Sequence, residues 1–387
     1  MSLSATKPTT LEMIQQLIAT PSVSCVNPQI DQSNLPVINL LGNWLNELGF
    51  QVEILPVSEG KANLIATLGS GSGTGGLILA GHTDTVPYDE NRWLHDPFKL
   101  TEDNGKLYGL GTSDMKAFLA LAIEAAISFE KKAYKQPLII LATSDEETTM
   151  AGAKALVDAG KPTARYAVIG EPTGMQPIRM HKGIMMEAVR ITGLAGHSSN
   201  PAYGHNALEA MHLVIAELLK WREELQQQYS NHLFEVPVPT MNLGHIHGGD
   251  NPNRICGACE LHIDIRPLPG MNLQTLRQEL KTRLQTIMPE NGFKLEVLPL
   301  FSGIPSMETP AESAIVKAAE KLTGTPASSV AFGTEAPYLT EMGIDTIVLG
   351  PGDIAQAHQP DEFLDLDRIE PTVELLKKLI HKFCIQS

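Results

Sequence analysis

The chain has 387 residues, of which 43% are hydrophobic and 19% are charged, and its formal net charge is -15. This length predicts two domains and a large buried core, and the composition is ordinary for a soluble globular enzyme. The acidic excess argues against nucleic acid and membrane surfaces as partners, because both bind basic protein surface.

Several features indicate where the protein functions. The stretch Met1–Pro8 has no basic segment followed by an apolar core, so we expect no signal peptide. No apolar run approaches the roughly 20 residues of a membrane span. The four cysteines are scattered, and we interpret Cys256 and Cys259 as ordinary strand residues because no second Cys pair accompanies them. We therefore expect a reducing, cytoplasmic location.

The first half of the chain alternates between helical and strand patterns, which is typical of a mostly parallel sheet covered by helices. The run Gly69–Gly76 lacks the Lys and Ser/Thr of a phosphate-binding loop, so we interpret it as a surface connector. The predicted elements are helices at Leu11–Ile18 and Val37–Leu48, strands at Gln51–Pro56, Asn63–Leu68 and Leu77–Leu79, a helix at Ala117–Phe129, a strand at Leu138–Ala142, a helix from Ala151 and a strand at Tyr166–Ile169.

The pattern changes near Gln176, where longer strands with alternating apolar residues begin. Strand, helix, strand, strand and helix in that order predict a small α+β domain whose sheet leaves one face free for packing. The α/β pattern returns after about Phe301. The elements predicted here are a strand at Ile184–Ile191, a helix at Asn206–Gln228, strands at Met241–His247 and Ile255–Arg266, helices at Leu273–Ile287 and Ala314–Leu322, a strand at Thr346–Leu349 and a helix at Arg368–Phe383.

These patterns predict an α/β fold: a mixed, mostly parallel sheet with helices on both faces, interrupted by an inserted α+β domain. We expect the first part of the catalytic domain at residues 1–177, the inserted domain at residues 178–292 and the second part of the catalytic domain at residues 293–387.

Acidic residues or a histidine follow each of four apolar strands. Open α/β sheets bind ligands beyond the carboxyl ends of their strands, so we expect these side chains to meet. Two imidazoles and several carboxylates, without cysteine, suit Zn²⁺, Co²⁺ or Mn²⁺. Five ligands exceed the need of one tetrahedral site, and a metal pair sharing a bridging carboxylate accounts for them better. The strand-end residues are His82, Asp84, Asp114, Glu146, Glu147, Glu171 and His358.

Each of these acids also has an ordinary interpretation. Asp114 and Glu147 precede predicted helices, where a carboxylate can cap the first turn. Asp145, Glu146 and Glu147 form a cluster of like charges that is unfavourable unless cations or solvent offset it. Spacing alone leaves open which of Glu146 and Glu147 binds metal.

Five ordered motifs resemble the dinuclear zinc amidohydrolases, a family that includes aminoacylases, desuccinylases and carboxypeptidases. The resemblance extends from Leu11 to Cys384, and three longer runs are most similar to bacterial deacetylases of this family. The five motifs are Gly81–Pro87, Gly111–Lys116, Asp145–Glu147, Gly170–Thr173 and Gly196–Ser199, and the longer runs are Asn242–Asp250, Ile263–Met271 and Gly350–Glu362.

The resemblance implies hydrolysis of an amide by a water that two divalent metal ions activate, with Zn²⁺ expected and Co²⁺ as an alternative. Glu146 would be the general base, and the Asp84 carboxylate would orient the His82 ring. His197, on the inserted dimerisation domain, would reach across a homodimer to stabilise the oxyanion. The implied metal ligands are His82 and Glu171 on one ion, Glu147 and His358 on the other, and Asp114 between them.

The implied partners are a small N-acyl amino acid and a second copy of the chain. The family binds the substrate α-carboxylate with basic and amide groups, and Asn253 and Arg266 match such positions. Lys182 and Arg254 are further candidates whose alternative is an ordinary surface charge. As a hypothesis, Glu335 pairs with a cationic group on the substrate side chain.

Three alternatives remain open at this point. One is the same chemistry on another substrate, such as succinyl-diaminopimelate or N-acyl amino acids in general. Another is a metal-binding protein without hydrolase activity, against which the presence of Glu146 argues. The third is an α/β scaffold whose strand-end acids only cap helices, and metal analysis of the purified protein would test it.

Overall fold

The computed structural model describes residues 8–69, 75–289 and 292–386. Residues 1–7 and 70–74 lie outside the described residues. The expected lack of a signal peptide concerns the first of these ranges, and most of the predicted connector Gly69–Gly76 falls in the second. The chain divides into two compact units. The first unit comprises the residues up to Arg179, Thr309–Ser328 and the residues from Thr334 onward, and the second comprises Met180–Glu308 and Ser329–Gly333.

The first unit begins with helices and strands that lie close to the predicted ones, apart from two short strands between residues 101 and 108 that were not predicted. They are α1 (Thr10–Ile18), α2 (Leu35–Glu47), β1 (Gln51–Ser58), β2 (Lys61–Leu68), β3 (Leu77–His82), β4 (Thr101–Asp103), β5 (Lys106–Tyr108), α3 (Lys116–Ala126), β6 (Leu138–Thr143), α4 (Ala151–Ala159) and β7 (Tyr166–Ile169).

The chain then passes through the second unit and returns to the first. These elements are β8 (Ile178–His181), β9 (Met185–Thr192), α5 (Ala207–Gln228), β10 (Thr240–Gly248), β11 (Ala258–Arg266), α6 (Leu273–Ile287), β12 (Lys294–Pro299), β13 (Met307–Glu308), α7 (Ala314–Thr323), β14 (Ser328–Val330), α8 (Ala336–Glu341), β15 (Asp345–Val348), β16 (Phe363–Asp365) and α9 (Ile369–Ile380).

A mixed sheet in the order β1-β2-β6-β3-β7-β15 forms the centre of the first unit, and β8 extends it. Its central strands β6, β3, β7 and β15 are parallel, whereas β1 and β2 are antiparallel at the edge. Every residue of β3 and β6 is buried. Both faces of these strands are therefore covered, as in α/β proteins generally, and the predicted fold class is confirmed.

Helix α3 lies against the middle of this sheet and contacts β3, β6, α1 and α9. All but one of its residues are buried, so it has no polar face. The segment just before it carries Asp114, so the packing of α3 fixes the place where that carboxylate enters the site. Strand β16 pairs with β5 and brings the residues after His358 close to the same segment.

The second unit contains a four-stranded antiparallel sheet in the order β10-β11-β9-β12. Helices α5 and α6 pack on one face of it, and the buried residues of β11 alternate accordingly. Strand β12 was not predicted, although its apolar residues Leu295 and Val297 alternate with Lys294 and Glu296. Its pairing with β9 extends the unit to Glu308, beyond the predicted domain boundary at residue 292.

Among the described residues, none of the helices combines the length and the apolar character needed to cross a bilayer. All four cysteines are free, and Cys256 and Cys259 are buried in the second unit.

Candidate metal centre and active site

The polar residues that follow the parallel strands of the first unit converge at the carboxyl ends of those strands. His82 is the last residue of β3, Glu146 and Glu147 follow β6, and Glu171 follows β7. His358 comes from the segment between β15 and β16. Parallel strands end at the same edge of a sheet, which is why residues far apart in sequence meet there.

The carboxylate of Asp114 lies between the two histidines. Its Oδ1 atom is 3.1 Å from Nε2 of His82, and its Oδ2 atom is 3.5 Å from Nε2 of His358. Each oxygen of one carboxylate therefore faces a different imidazole. This is the arrangement expected of a carboxylate that bridges two metal ions.

The remaining acids complete two groups around this carboxylate. Oε2 of Glu171 lies 3.9 Å from Nε2 of His82, and both carboxylate oxygens of Glu147 lie 3.1 Å from Nε2 of His358. In each of two sets of three residues, the possible ligand atoms lie within 4.8 Å of one another. One set is His82, Asp114 and Glu147, and the other is His82, Glu146 and Glu171.

Glu146 and Glu147 are thus both within reach of a metal ion. The geometry leaves open which of them is a ligand, as the sequence did. The assignment of Glu147 as ligand and Glu146 as base continues to rest on the family resemblance.

The electrostatics of the site are dominated by its buried carboxylates. Burial and the neighbouring charge of Glu171 raise the pKa of Glu146 well above its usual value. Burial and the charge of Asp114 do the same to the pKa of Glu171. Burial alone would lower the pKa of His82, but its hydrogen bond to Asp114 and the surrounding carboxylates outweigh burial and raise it.

The pKa of the other histidine is also raised by neighbouring carboxylates. The hydrogen bond to Glu147 raises the pKa of His358 to about 9. In addition, Oε1 of Glu171 is buried and has no hydrogen-bond partner among the described residues. Buried carboxylates without compensation are costly, and divalent cations would supply the missing charge and the missing partner. The imidazole and carboxylate donors fit two such ions.

Asp84 is placed differently from the prediction. Its backbone carbonyl oxygen, rather than its carboxylate, lies 2.9 Å from Nδ1 of His82, and the nearer carboxylate oxygen is 3.8 Å away. The carboxylate instead accepts hydrogen bonds from the backbone N–H groups of Glu146 at 3.2 Å and Glu147 at 3.1 Å. The backbone carbonyl of Asp84 thus faces the imidazole, and its side chain faces the residues after β6.

Sequence reasoning missed a further buried carboxylate at the site. Glu362 accepts hydrogen bonds from the backbone N–H groups of Gly111, Ser113 and Asp114, at 2.7 to 3.1 Å. It thereby holds the loop that presents the bridging carboxylate. The available signal was its place at the end of the run Gly350–Glu362, four residues after His358.

Glu335 belongs to the first unit and is almost fully buried just before α8. Burial raises the pKa of Glu335 to about 7, although a hydrogen bond with Thr143 opposes this. Its charge acts on both Glu146 and Glu171, and its Oε1 atom has no partner among the described residues. A buried carboxylate with a free oxygen beside the metal centre can bind a cationic group.

The other predicted binding residues lie in the second unit. His197 lies on an exposed loop and forms an isolated antiparallel β-bridge with Arg254. The backbone carbonyl of Asn253 accepts a hydrogen bond from the backbone N–H of Ser198. Nζ of Lys182 donates to the carbonyls of Val236 and Val238 at 2.8 Å each. Arg266 donates to Asp264 at 3.0 Å. The structure therefore brings His197, Asn253 and Arg254 together. Arg254 pairs with Asp250, so it has a protein partner of its own, as Lys182 and Arg266 do.

Known proteins resemble this chain over nearly its whole length. Residues 78–382 match the sequence profile of peptidase family M20/M25/M40. Acetylornithine deacetylase of Proteus mirabilis is 53% identical over 98% of this chain and 97% of its own length, and that of Pectobacterium carotovorum is 50% identical over 97% and 98%.

Solved structures share the fold at lower identity. An M20-family metallo-carboxypeptidase of Sulfolobus solfataricus superposes with a TM-score of 0.75 at 18% identity, over 96% of this chain and 98% of its own. A dinuclear metal-binding peptidase of the M20 family from Bacillus subtilis gives 0.67 at 15% identity, over 97% and 98%. The converging carboxylates and histidines, the profile match and the close relatives agree, and the chain belongs to peptidase family M20/M25/M40.

Proposed function

We propose that the protein is an acetylornithine deacetylase, which hydrolyses N2-acetyl-L-ornithine to L-ornithine and acetate in arginine biosynthesis. The observation that carries the hydrolytic mechanism is the Asp114 carboxylate, whose two oxygens face His82 and His358 separately. The substrate is supported by relatives of that name, which are about half identical to this chain over almost its full length. The three runs most similar to bacterial deacetylases support the same substrate.

The metal ions of the proposed site are Zn²⁺, with Co²⁺ as an alternative, and when bound they polarise the amide carbonyl and acidify the attacking water. The proposed ligands are His82 and Glu171 for one ion, Glu147 and His358 for the other, and Asp114 for both.

Glu146 acts as the general base in this proposal. It takes the proton from the water that attacks the amide carbonyl and passes it to the leaving amine nitrogen. Its raised pKa suits the first step, because a carboxylate with a higher proton affinity is a stronger base toward the attacking water. The Asp84 carboxylate, bonded to the backbone N–H of Glu146, keeps the base in place.

His197 stabilises the oxyanion that forms on the carbonyl oxygen. We propose that it does so in the site of a partner subunit, within a cytoplasmic homodimer. Its exposed position on a loop of the second unit supports this role. Nδ1 of its imidazole accepts a hydrogen bond from the backbone N–H of Ser199 at 3.2 Å, which leaves Nε2 to contact a group of the partner's site.

Glu335 binds the side-chain ammonium of ornithine, since its buried carboxylate has an oxygen without a partner among the described residues. The substrate α-carboxylate is bound by Asn253 and Arg266, with Lys182 and Arg254 as further contributors. Because Arg266 already donates from Nε to Asp264, its terminal guanidinium nitrogens would be the donors for the substrate carboxylate in this proposal.

A small cavity beside His358 favours acetyl over larger acyl groups. It measures about 70 Å³ and is lined by both polar and apolar side chains, with Asp89 and His358 among the polar ones. We propose that this small volume takes the acetyl methyl group. The apolar lining residues include Val86, Pro87, Trp93 and Leu110.

Release of ornithine from N-acetylornithine tests the function directly. We expect turnover by the wild type with Zn²⁺ or Co²⁺ and loss of roughly 10²- to 10⁴-fold in Glu146→Ala, the usual contribution of a general base. Wild-type inactivity with every metal would overturn the function. An active Glu146→Ala variant would overturn only the assignment of the base.

A panel of N-acyl amino acids tests the substrate. We expect acetyl substrates to be hydrolysed faster than succinyl ones, and the opposite order would support a desuccinylase. Glu335→Gln should slow turnover of N-acetylornithine far more than that of N-acetylmethionine, which has no side-chain cation. Equal losses on the two substrates would exclude Glu335 as the ammonium partner.

A further inference from the structure

We propose that Lys61 is a positioning residue that sets the turn Asp145–Glu147, and with it the general base and one metal ligand, through an ion pair with Asp145. The proposal rests on the proposed function, because it takes Glu146 as the base and Glu147 as a ligand. Lys61 does not touch the metal centre itself. It acts from β2, an antiparallel neighbour of the strand that carries the turn.

Lys61 is a buried cation shared by two acids. It begins β2 and is only 5% exposed, and its Nζ atom lies 2.8 Å from Oδ1 of Asp145 and 2.8 Å from Oδ1 of Asp31. The same Asp145 oxygen accepts a hydrogen bond from Ser24 at 3.1 Å, and the Asp31 oxygen accepts one from the backbone N–H of Cys25 at 3.0 Å. The ammonium group therefore joins the loop between α1 and α2 to the first residue of the catalytic turn.

The backbone of Asp145 needs such a restraint. Its φ angle is 56°, in the left-handed region, which costs a residue with a Cβ atom on the order of 1–2 kcal/mol. Its carbonyl oxygen accepts hydrogen bonds from Thr149 at 3.2 Å and Met150 at 2.8 Å, which close the turn on the far side. The side-chain ion pair holds the near side, so the conformation at Asp145 decides where the next two side chains point.

Asp84 and Lys61 bind different groups of the turn Asp145–Glu147. Asp84 accepts from the backbone N–H groups of Glu146 and Glu147, whereas Lys61 binds the side chain of the residue before them. Their contributions are complementary, because the Asp84 and Asp145 carboxylates repel each other and only a cation between or beside them offsets this. Lys61 provides the positive charge that the acidic run Asp145–Glu147 requires.

A Lys61→Met variant removes the charge while keeping a long apolar side chain. We expect kcat and the affinity of the metal-free protein for Zn²⁺ each to fall by roughly 10–100-fold, as for other residues that orient metal ligands. KM should change little, because Lys61 does not contact substrate. Calorimetric titration with Zn²⁺ alone gives the affinity without any turnover measurement.

Lys161→Met is the matched control. Nζ of Lys161 also lies 2.8 Å from a carboxylate oxygen, that of Glu53, but this pair is about half exposed and lies away from the turn. We expect kcat and metal affinity to stay within about twofold of wild type, because exposed ion pairs contribute roughly 0–1 kcal/mol.

Asp145→Asn and the double variant test whether Lys61 acts through Asp145. Residues that form one ion pair lose less together than the sum of their separate losses. We therefore expect Lys61→Met/Asp145→Asn to resemble the more severe single variant. Lys61→Arg keeps a cation and should recover part of the rate and of the metal affinity, which a loss due only to poor packing would not show.

Three results would overturn the proposal. They are wild-type kcat and metal affinity in Lys61→Met, additive losses in the double variant, and a Lys61→Arg protein that is folded by circular dichroism yet as impaired as Lys61→Met. If the wild type failed on N-acetylornithine, the proposed function would fall, whereas the Zn²⁺ titrations would still decide whether Lys61 positions the turn.

Discussion

Asp84 holds the imidazole of His82 through its backbone carbonyl oxygen, 2.9 Å from Nδ1. A carbonyl acceptor at Nδ1 fixes the ring tautomer and leaves Nε2 free to face Asp114 and a metal ion. This task does not depend on the identity of the side chain at position 84. The carboxylate is thereby released for the amide groups of Glu146 and Glu147.

The separation of these tasks predicts different losses on substitution. Asp84→Asn keeps the carbonyl, so it should bind metal at His82 as wild type does. It places an amide NH₂ opposite one backbone N–H of the turn, and kcat should fall by roughly 10–100-fold. His82→Ala should lose metal instead. Metal content and kcat measured on both variants check this, and loss of metal in Asp84→Asn would contradict it.

Removal of metal should destabilise the first unit. The buried carboxylates of Glu146, Glu171 and Asp114 then face one another without compensation. Metal at a hundred times its dissociation constant should raise the free energy of unfolding by about 2.7 kcal/mol. Denaturant unfolding with chelator and with Zn²⁺ measures this difference.

Glu171→Gln is the informative comparison for that experiment. It removes one like charge and one ligand, so the chelated variant should be more stable than the chelated wild type and should gain less from Zn²⁺. A variant that gains as much as the wild type would show that Glu171 does not bind metal.

Glu362→Leu should destabilise the protein and weaken metal binding together. The substitution leaves the backbone N–H groups of Gly111, Ser113 and Asp114 without their acceptor. A buried unpaired group costs about 1–3 kcal/mol, so a loss on the order of 3 kcal/mol or more is expected. Glu102→Leu, at an exposed position of β4, is the control and should change neither the free energy of unfolding nor the Zn²⁺ affinity. If Glu362→Leu changed these two quantities as little as the control does, the prediction would be wrong.

His181 should make the second unit sensitive to acid. Burial lowers the pKa of His181 to about 4, although the hydrogen bond of Nδ1 with the carbonyl of Lys182 opposes this. As the pH falls from 6.5 toward 4, the unfolded chain takes up a proton that the folded chain does not. Stability is therefore complete above this window and is lost within it. The loss between pH 7 and pH 4.5 should be about 2 kcal/mol.

Urea unfolding of His181→Leu at the two pH values checks this, because the variant lacks the titrating group and should lose less stability in acid. His232→Leu, which replaces an exposed histidine of the same unit, should behave as wild type. An unaltered pH dependence in His181→Leu would assign the acid sensitivity to other groups.

The positions of the central strands and of the polar residues after them could be predicted from the sequence. Strands buried on both faces are continuous apolar runs, as at β3, β6 and β7, and the residues that follow them must lie at one edge of the sheet. The family motifs added the expected assignment of ligands and base. Strand β12 was missed because only one of its residues is buried, so the short alternation of Leu295 and Val297 with polar residues was a weak signal.

By itself, the sequence determined the sheet, the edge at which the site lies and the residue types that meet there, because these follow from local apolar patterning. Only the tertiary structure decided which atoms of those residues interact. The carbonyl oxygen of Asp84 contacts the His82 ring, and Lys61 forms an ion pair with Asp145. Glu362 accepts a hydrogen bond from Asp114, which is 248 positions away in the sequence. Such contacts depend on strand order and on how each loop bends, and these are set by packing among segments distant in sequence.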